Sequence, residues 1–217
     1  MVYIKATERR EQLVAAARQV MTREGVGGTT LRAVATEADV PLGTLHYVFP
    51  SKEQLLRAVI EDVMDEIAGL LAKTADTGSG LEHALRRGVE DYWARLVVGQ
   101  PELHLMQHEL IIYALRTPGL ENLARWQFER YSRTVAAWCQ EAANSAGESC
   151  AVPFETLARV LVAQNIGLVL QYVSDPDEAR SAQDVQIIID LIIHLAGVRR
   201  AGARPLPAAR KQSDGAA

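Results

Sequence analysis

Two cysteines among 217 residues, Cys139 and Cys150, without CxxC spacing, give no disulfide framework and no thiolate metal site. They read as two free thiols in a reducing compartment, with a redox pair as the lesser reading. The first thirty residues are charged and hold no apolar signal core. The strongly apolar runs, such as Ile187–Ile189 and Leu191–Ile193, are far too short to cross a bilayer. A cytoplasmic protein with no membrane partner is therefore expected. No Gly-rich phosphate loop, GxSxG, HExxH or paired metal-ligand motif occurs, so neither an enzyme nor a cofactor or metal is implied. Sustained strand alternation is missing too.

The formal net charge of −4 argues against a general nucleic-acid coat, but the charge is uneven. Residues 1–60 carry 8 Lys/Arg against 6 Asp/Glu, and the remainder 15 against 21. A slightly basic end on an acidic body suits a protein that touches phosphate at one end only.

The periodicity is helical almost throughout. Leu13, Ala16, Ala17, Val20 and Met21 form one apolar stripe, with Thr7 as a cap and Gly25, Gly27 and Gly28 as the stop. Thr30 caps a second helix to about Ala38, and a third spans roughly Leu42–Val48. Ser51–Gln54 has the capping-box pattern and opens a longer fourth helix. Residues 74–80 read as a loop, and Ser79-x-x-Glu82 opens a helix to about Gly99. Pro101, Thr117-Pro118, Pro153 and Ser181-x-x-Asp184 open four more, the last ending near Gly197. The fold class is all-α with about nine helices. The division expected is a compact N-terminal bundle of three helices at 1–50, a larger helical body at 51–198, and a disordered tail at 199–217. The fourth helix belongs to both domains.

Residues 29–57 carry the chemistry. Leu31, Val34, Ala35 and Ala38 give a bracing face, and Val40, Leu45 and Phe49 the matching face around a turn. Gly43 and Thr44 are small, so backbone can approach DNA closely. His46 and Tyr47 are adjacent and polar-tipped, and cannot both be core in so short a helix; such tips reach phosphates and base edges. Lys52, in the first turn of the fourth helix, would hold a phosphate together with the free N–H groups there. Pattern alone also fits an ordinary three-helix bundle.

The segment TTLRAVATEADVPLGTLHYVFPSKEQLLRAV resembles the signature of the TetR family of bacterial transcriptional repressors. The shared elements are the Thr-Thr start, Ala35, the GTL-aromatic recognition helix, Phe49 and the Ser51-Lys52-Glu53 start, over about residues 7–65. The resemblance implies a homodimer on a palindromic operator in double-stranded DNA, released by a small molecule in the C-terminal domain. By position it implies that Thr30 and Lys52 contact phosphates, that Gly43, Thr44, His46 and Tyr47 lie in or beside the major groove, and that Arg32 is a further contact. Asp39 stands where the family usually has glycine, and Pro41 where a hydroxyl cap is frequent. The family's tyrosine falls at His46, with Tyr47 next.

The last two helices are apolar around most of their circumference, and a second copy of the chain is the simplest cover. The interface residues expected are Leu161, Ala163, Gly167, Leu168, Ile188, Leu191 and Leu195; a buried central pair in a monomer is the alternative. Tyr92, Trp93, His104, His108, Tyr113 and Trp126, with Gln164 and Gln171, are the residues expected around a cavity for a mostly apolar or aromatic effector. Each also suits an ordinary core. His104 and His108 share a helix face at a spacing that suits a metal, but two ligands are too few and HLMQH lacks the glutamate of HExxH.

Overall fold

The computed structural model describes residues 6–75 and 79–200. Those residues form nine α-helices: α1 (Ala6–Gly28), α2 (Leu31–Glu37), α3 (Leu42–Val48), α4 (Lys52–Ala75), α5 (Leu81–Tyr92), α6 (Pro101–Arg116), α7 (Glu121–Ser145), α8 (Phe154–Ser174) and α9 (Glu178–Ala196). A π-helical segment, Trp93–Val98, continues α5. Two short strands, β1 (Glu148–Ser149) and β2 (Arg199–Arg200), pair antiparallel.

The first three helices pack as their stripes require. Leu13, Ala17, Val20, Val34, Leu45 and Phe49 are buried together with Leu55, Leu56 and Val59 of α4. Thr30 has extended backbone, and its side-chain oxygen accepts the N–H of Ala33 at 3.1 Å, which starts α2. The turn to α3 passes through Asp39 at φ 50°, the left-handed region that a short polar side chain tolerates. Gln12 on α1 donates to the carbonyl of Ala38 at 2.7 Å and fixes that turn. Ser51 caps α4 by accepting the N–H of Gln54 at 3.2 Å. Arg18 on α1 pairs with Asp62 and Glu66 on α4.

Several helix ends differ from the sequence expectation. α1 is not stopped by its glycines as a group. It breaks at Gly25 (φ 75°, ψ 160°) and resumes for one more turn. The Ser79-x-x-Glu82 start is replaced by a tertiary cap, with Glu148 accepting the N–H of Leu81 at 2.8 Å. α7 starts at Glu121, because Thr117–Leu120 form a turn with Gly119 at φ 88°. α9 starts earlier than Ser181, with Asp177 accepting the N–H of Arg180 at 2.9 Å. The loop expected at 74–80 is still helical at Thr74 and Ala75, and its residues 76–78 lie outside the described residues. The expected tail includes Arg199 and Arg200, which pair with Ser149 and Glu148. Its remainder, 201–217, lies outside the described residues.

One expectation about apolar length is corrected. Among the described residues α8 alone is long and apolar enough, by length and composition, to cross a membrane, with mean hydropathy 1.3 and 28% of that window buried. Scattered polar residues break its apolar runs in the sequence, so run length alone does not reveal it.

Candidate DNA-reading face and ligand cavity

α3 turns Leu45 into the core and leaves its other side open. Tyr47 is 87% exposed, and Gly43 and His46 are exposed beside it, with Thr44 half-buried. A Cβ placed at Gly43 would meet nothing within 4 Å. The fold therefore does not require glycine there, and any requirement comes from what approaches α3 from outside. Thr30 and Arg32 are exposed at the start of α2. Thr30 uses an oxygen lone pair in its cap, which leaves the hydroxyl proton for another acceptor.

Lys52 has a different set of partners from the phosphate expected of it. Its ammonium donates to the carbonyls of Thr29 at 2.8 Å and Val26 at 3.3 Å, and lies 4.6 Å from the ring centre of Tyr113 on α6. Glu109, also on α6, accepts the N–H of Val26 at 2.9 Å. The short turn after Gly25 is thus held by α4 through its carbonyls and by α6 through its N–H. Tyr113 belongs to a cleft at this junction, lined also by Gly25–Gly28, Leu105, His108 and Ile112.

A separate cavity of about 90 Å³ lies inside the body, several times the roughly 10–15 Å³ that one water needs. Its wall brings together Tyr92, Trp93, His104 and His108, as expected, with Gln107, Tyr131, Trp138 and Asn165. Met64, Ile67 and Leu71 of α4 close one side. Trp126 is elsewhere, under the guanidinium of Arg57 at 4.9 Å from its ring centre. Gln164 and Gln171 face outward on α8. Gln107 was legible in HLMQH, three residues from His104 on the same face. Tyr131 and Trp138 carried no such local signal.

Two hydrogen-bond chains run along the cavity wall. Gln127 donates to the Tyr131 hydroxyl at 2.7 Å, and Tyr131 donates to Gln107 Oε1 at 2.9 Å. Asn165 donates to the Tyr92 hydroxyl at 3.1 Å, which lies 3.5 Å from His104 Nδ1. His108 Nδ1 sits 2.6 Å from the His104 carbonyl and must donate to it, which makes Nε2 of the neutral ring an acceptor. The buried nitrogens Trp93 Nε1, His104 Nε2, Gln107 Nε2 and His108 Nε2 have no hydrogen-bond partner. Burial pushes the His104 pKa down to about 4, with His108 adding to the effect and the Leu96 carbonyl opposing it. Burial raises the Tyr131 phenol to about 12, against a hydrogen bond from Gln127, and raises Tyr92 further still.

The seven residues expected at a dimer interface divide. Leu161, Leu168 and Ile188 line the cavity. Ala163 is exposed, Gly167 and Leu195 are half-buried, and Leu191 is 59% exposed. Leu170 and Ile187, not anticipated, are 44% and 58% exposed on the same two helices.

Family models match both parts of this architecture. Residues 13–59 match the bacterial regulatory proteins of the tetR family, and 80–195 the tetracyclin repressor-like C-terminal domain. The chain belongs to the TetR family. It is a DNA-binding transcription regulator and not an enzyme. It is 27% identical over 195 residues to the nicotine-responsive transcriptional repressor HdnoR of Paenarthrobacter nicotinovorans, covering 90% of this chain and 99% of that one. The multidrug binding protein EbrR, solved with imidazole, superposes with TM-score 0.61 at 27% identity, covering 94% and 99% of the two chains. A Rhodococcus regulator superposes with TM-score 0.72 at 19% identity over 88% and 99%, a likeness of fold.

Proposed function

We propose that this TetR-family regulator is a cytoplasmic homodimeric repressor. Two copies of α3 read a palindromic operator, and a small, mostly apolar or aromatic effector in the cavity releases it. The observation that carries this reading is the double role of α6. His104, Gln107, His108 and Ile111 line the cavity, while Glu109 and Tyr113 hold the turn behind the DNA-binding helices. A ligand that prefers one placement of α6 thereby biases the placement of α3. HdnoR, a nicotine-responsive repressor, and EbrR, solved with imidazole, support an aromatic effector.

The contacts proposed for DNA are Thr30, Arg32, Gly43, Thr44, His46 and Tyr47. Lys52 acts as a brace for the Val26–Thr29 turn. The dimer face is the apolar side of α8 and α9 around Ala163, Gly167, Leu170, Ile187 and Leu191, which are exposed or half-buried in one copy. The boundary near residue 50 leaves α4 shared between the two domains. The test is operator affinity measured with and without effector. Equal effector affinity of the free and operator-bound protein contradicts the release mechanism.

A further inference from the structure

We propose that the cavity takes an uncharged aromatic molecule with an amide-like edge, which gives a hydrogen to His108 Nε2 and accepts one from the Gln107 amide. This rests on the reading of the cavity as an effector site and adds the class of ligand.

The first ground is the absence of charge. No Asp, Glu, Lys or Arg is among the residues that line the cavity. Of the other titratable groups there, His104 is displaced far downward and the tyrosines Tyr92 and Tyr131 upward, which keeps these three neutral near pH 7. An ion entering this space would lose its hydration with no opposite charge to receive it. Its aromatic walls, Tyr92, Trp93, Tyr131 and Trp138, suit a flat apolar body.

The second ground is the pattern of unfilled hydrogen bonds. The Tyr131 hydroxyl fixes the Gln107 oxygen and so leaves its NH₂ as the unmet end of a chain of donors. The bond from His108 to the His104 carbonyl fixes the opposite character, an unmet acceptor, one residue further along α6. A buried donor and a buried acceptor left open are each costly, so a ligand that meets both gains over one that meets neither. Trp93 Nε1–H adds a second donor in the same wall. An amide or lactam carries both complements side by side.

The test uses three molecules of nearly equal shape: 2-naphthamide, 2-naphthoate and 2-naphthamidinium. Each is titrated calorimetrically into the full-length protein without DNA at pH 7.5, with 2-methylnaphthalene as the apolar reference. The amide should bind at least tenfold tighter than either ion. Gln107→Met and His108→Phe should each weaken the amide about tenfold and leave the reference within twofold. Equal or tighter binding of an ion, or no binding of the amide at millimolar concentration, overturns the proposal. So does an amide affinity unmoved by both substitutions. The comparison of the three molecules on the unmodified protein stands even if a variant fails to fold. Amide binding that leaves operator affinity unchanged would sink the effector reading and keep the ligand class. Operator release by an ion and not by the amide would do the reverse.

Discussion

The carboxylate of Glu109 accepts the backbone N–H of Val26 at 2.9 Å, across 83 residues of sequence. Glu109 adjoins His108, which lines the cavity in the body, and Val26 lies in the turn that leads into α2. Lys52 holds the carbonyls of the same turn and rests on Tyr113, one helical turn beyond Glu109. Backbone pinned on its N–H side by one helix and on its C=O side by another moves only if both helices move.

Glu109→Ala should separate the two functions. The loss of one charge-assisted hydrogen bond at a solvent-facing residue should cost about 1 kcal/mol of stability. Operator affinity without effector should stay within about threefold of the parent, since no DNA-facing residue changes. The effector concentration that releases half the operator should rise about fivefold or more, the lower range of ordinary coupling energies. Fluorescence anisotropy on labelled operator reads both quantities.

Tyr47 and Lys52 should fail in opposite ways. Tyr47 is 87% exposed, so Tyr47→Ala should leave thermal stability within about 0.5 kcal/mol and lower operator affinity at least tenfold. Lys52→Met should cost about 1–2 kcal/mol, because its carbonyl and ring partners are lost. It should leave the salt dependence of operator binding nearly unchanged, whereas loss of a phosphate contact would reduce that slope. A Lys52 variant of full stability and reduced salt slope would return this residue to the DNA.

The glycines sort by what demands them. Gly99→Ala would place a Cβ 2.5 Å from the Arg95 carbonyl oxygen at the end of the π-helical segment. It should destabilise by about 1–3 kcal/mol, the usual range for an overpacked site. A Cβ at Gly167 meets nothing within 4 Å in one copy, and Gly167→Leu tests whether a second copy closes on it. The substitution should leave monomer folding intact and raise the dimer dissociation constant at least tenfold by analytical ultracentrifugation.

His104 sets a pH dependence. Its pKa falls from an ordinary 6.5 to about 4 in the folded chain, so the unfolded chain binds the extra proton between those values. Stability should therefore be full above about pH 6.5, fall as pH drops, and level off below about 4, a total of about 3 kcal/mol from this group. Denaturant unfolding of the parent and His104→Phe from pH 4 to 7.5 isolates it. The difference between the two curves should follow that window, and a constant difference contradicts it.

Local chemistry was legible where the determinants were local. The bounds of α3 follow from Pro41, the spacing of Leu42, Leu45 and Phe49, and the left-handed tolerance of Asp39. The Thr30 and Ser51 caps could be read for the same reason. What was hidden depends on distant partners. Glu148 caps α5 from 67 residues away. WARLVV reads as plain helix in the sequence and is π-helical in the structure, with Gly99 at its end. The face of α6 at His104 and His108 was visible, but which aromatics meet it depends on how α7 turns. That rotation brings Tyr131 and Trp138 to the cavity and sends Trp126 to Arg57.

The most direct test of the central claim is selection of bound duplexes from the source organism's genomic DNA, followed by footprinting. The account predicts an inverted repeat with half-sites about one DNA turn, roughly 34 Å, apart. One homodimer should protect it, and Tyr47→Ala should abolish the protection. Enrichment no greater than for random duplex, or a lone half-site protected by a monomer, would contradict it.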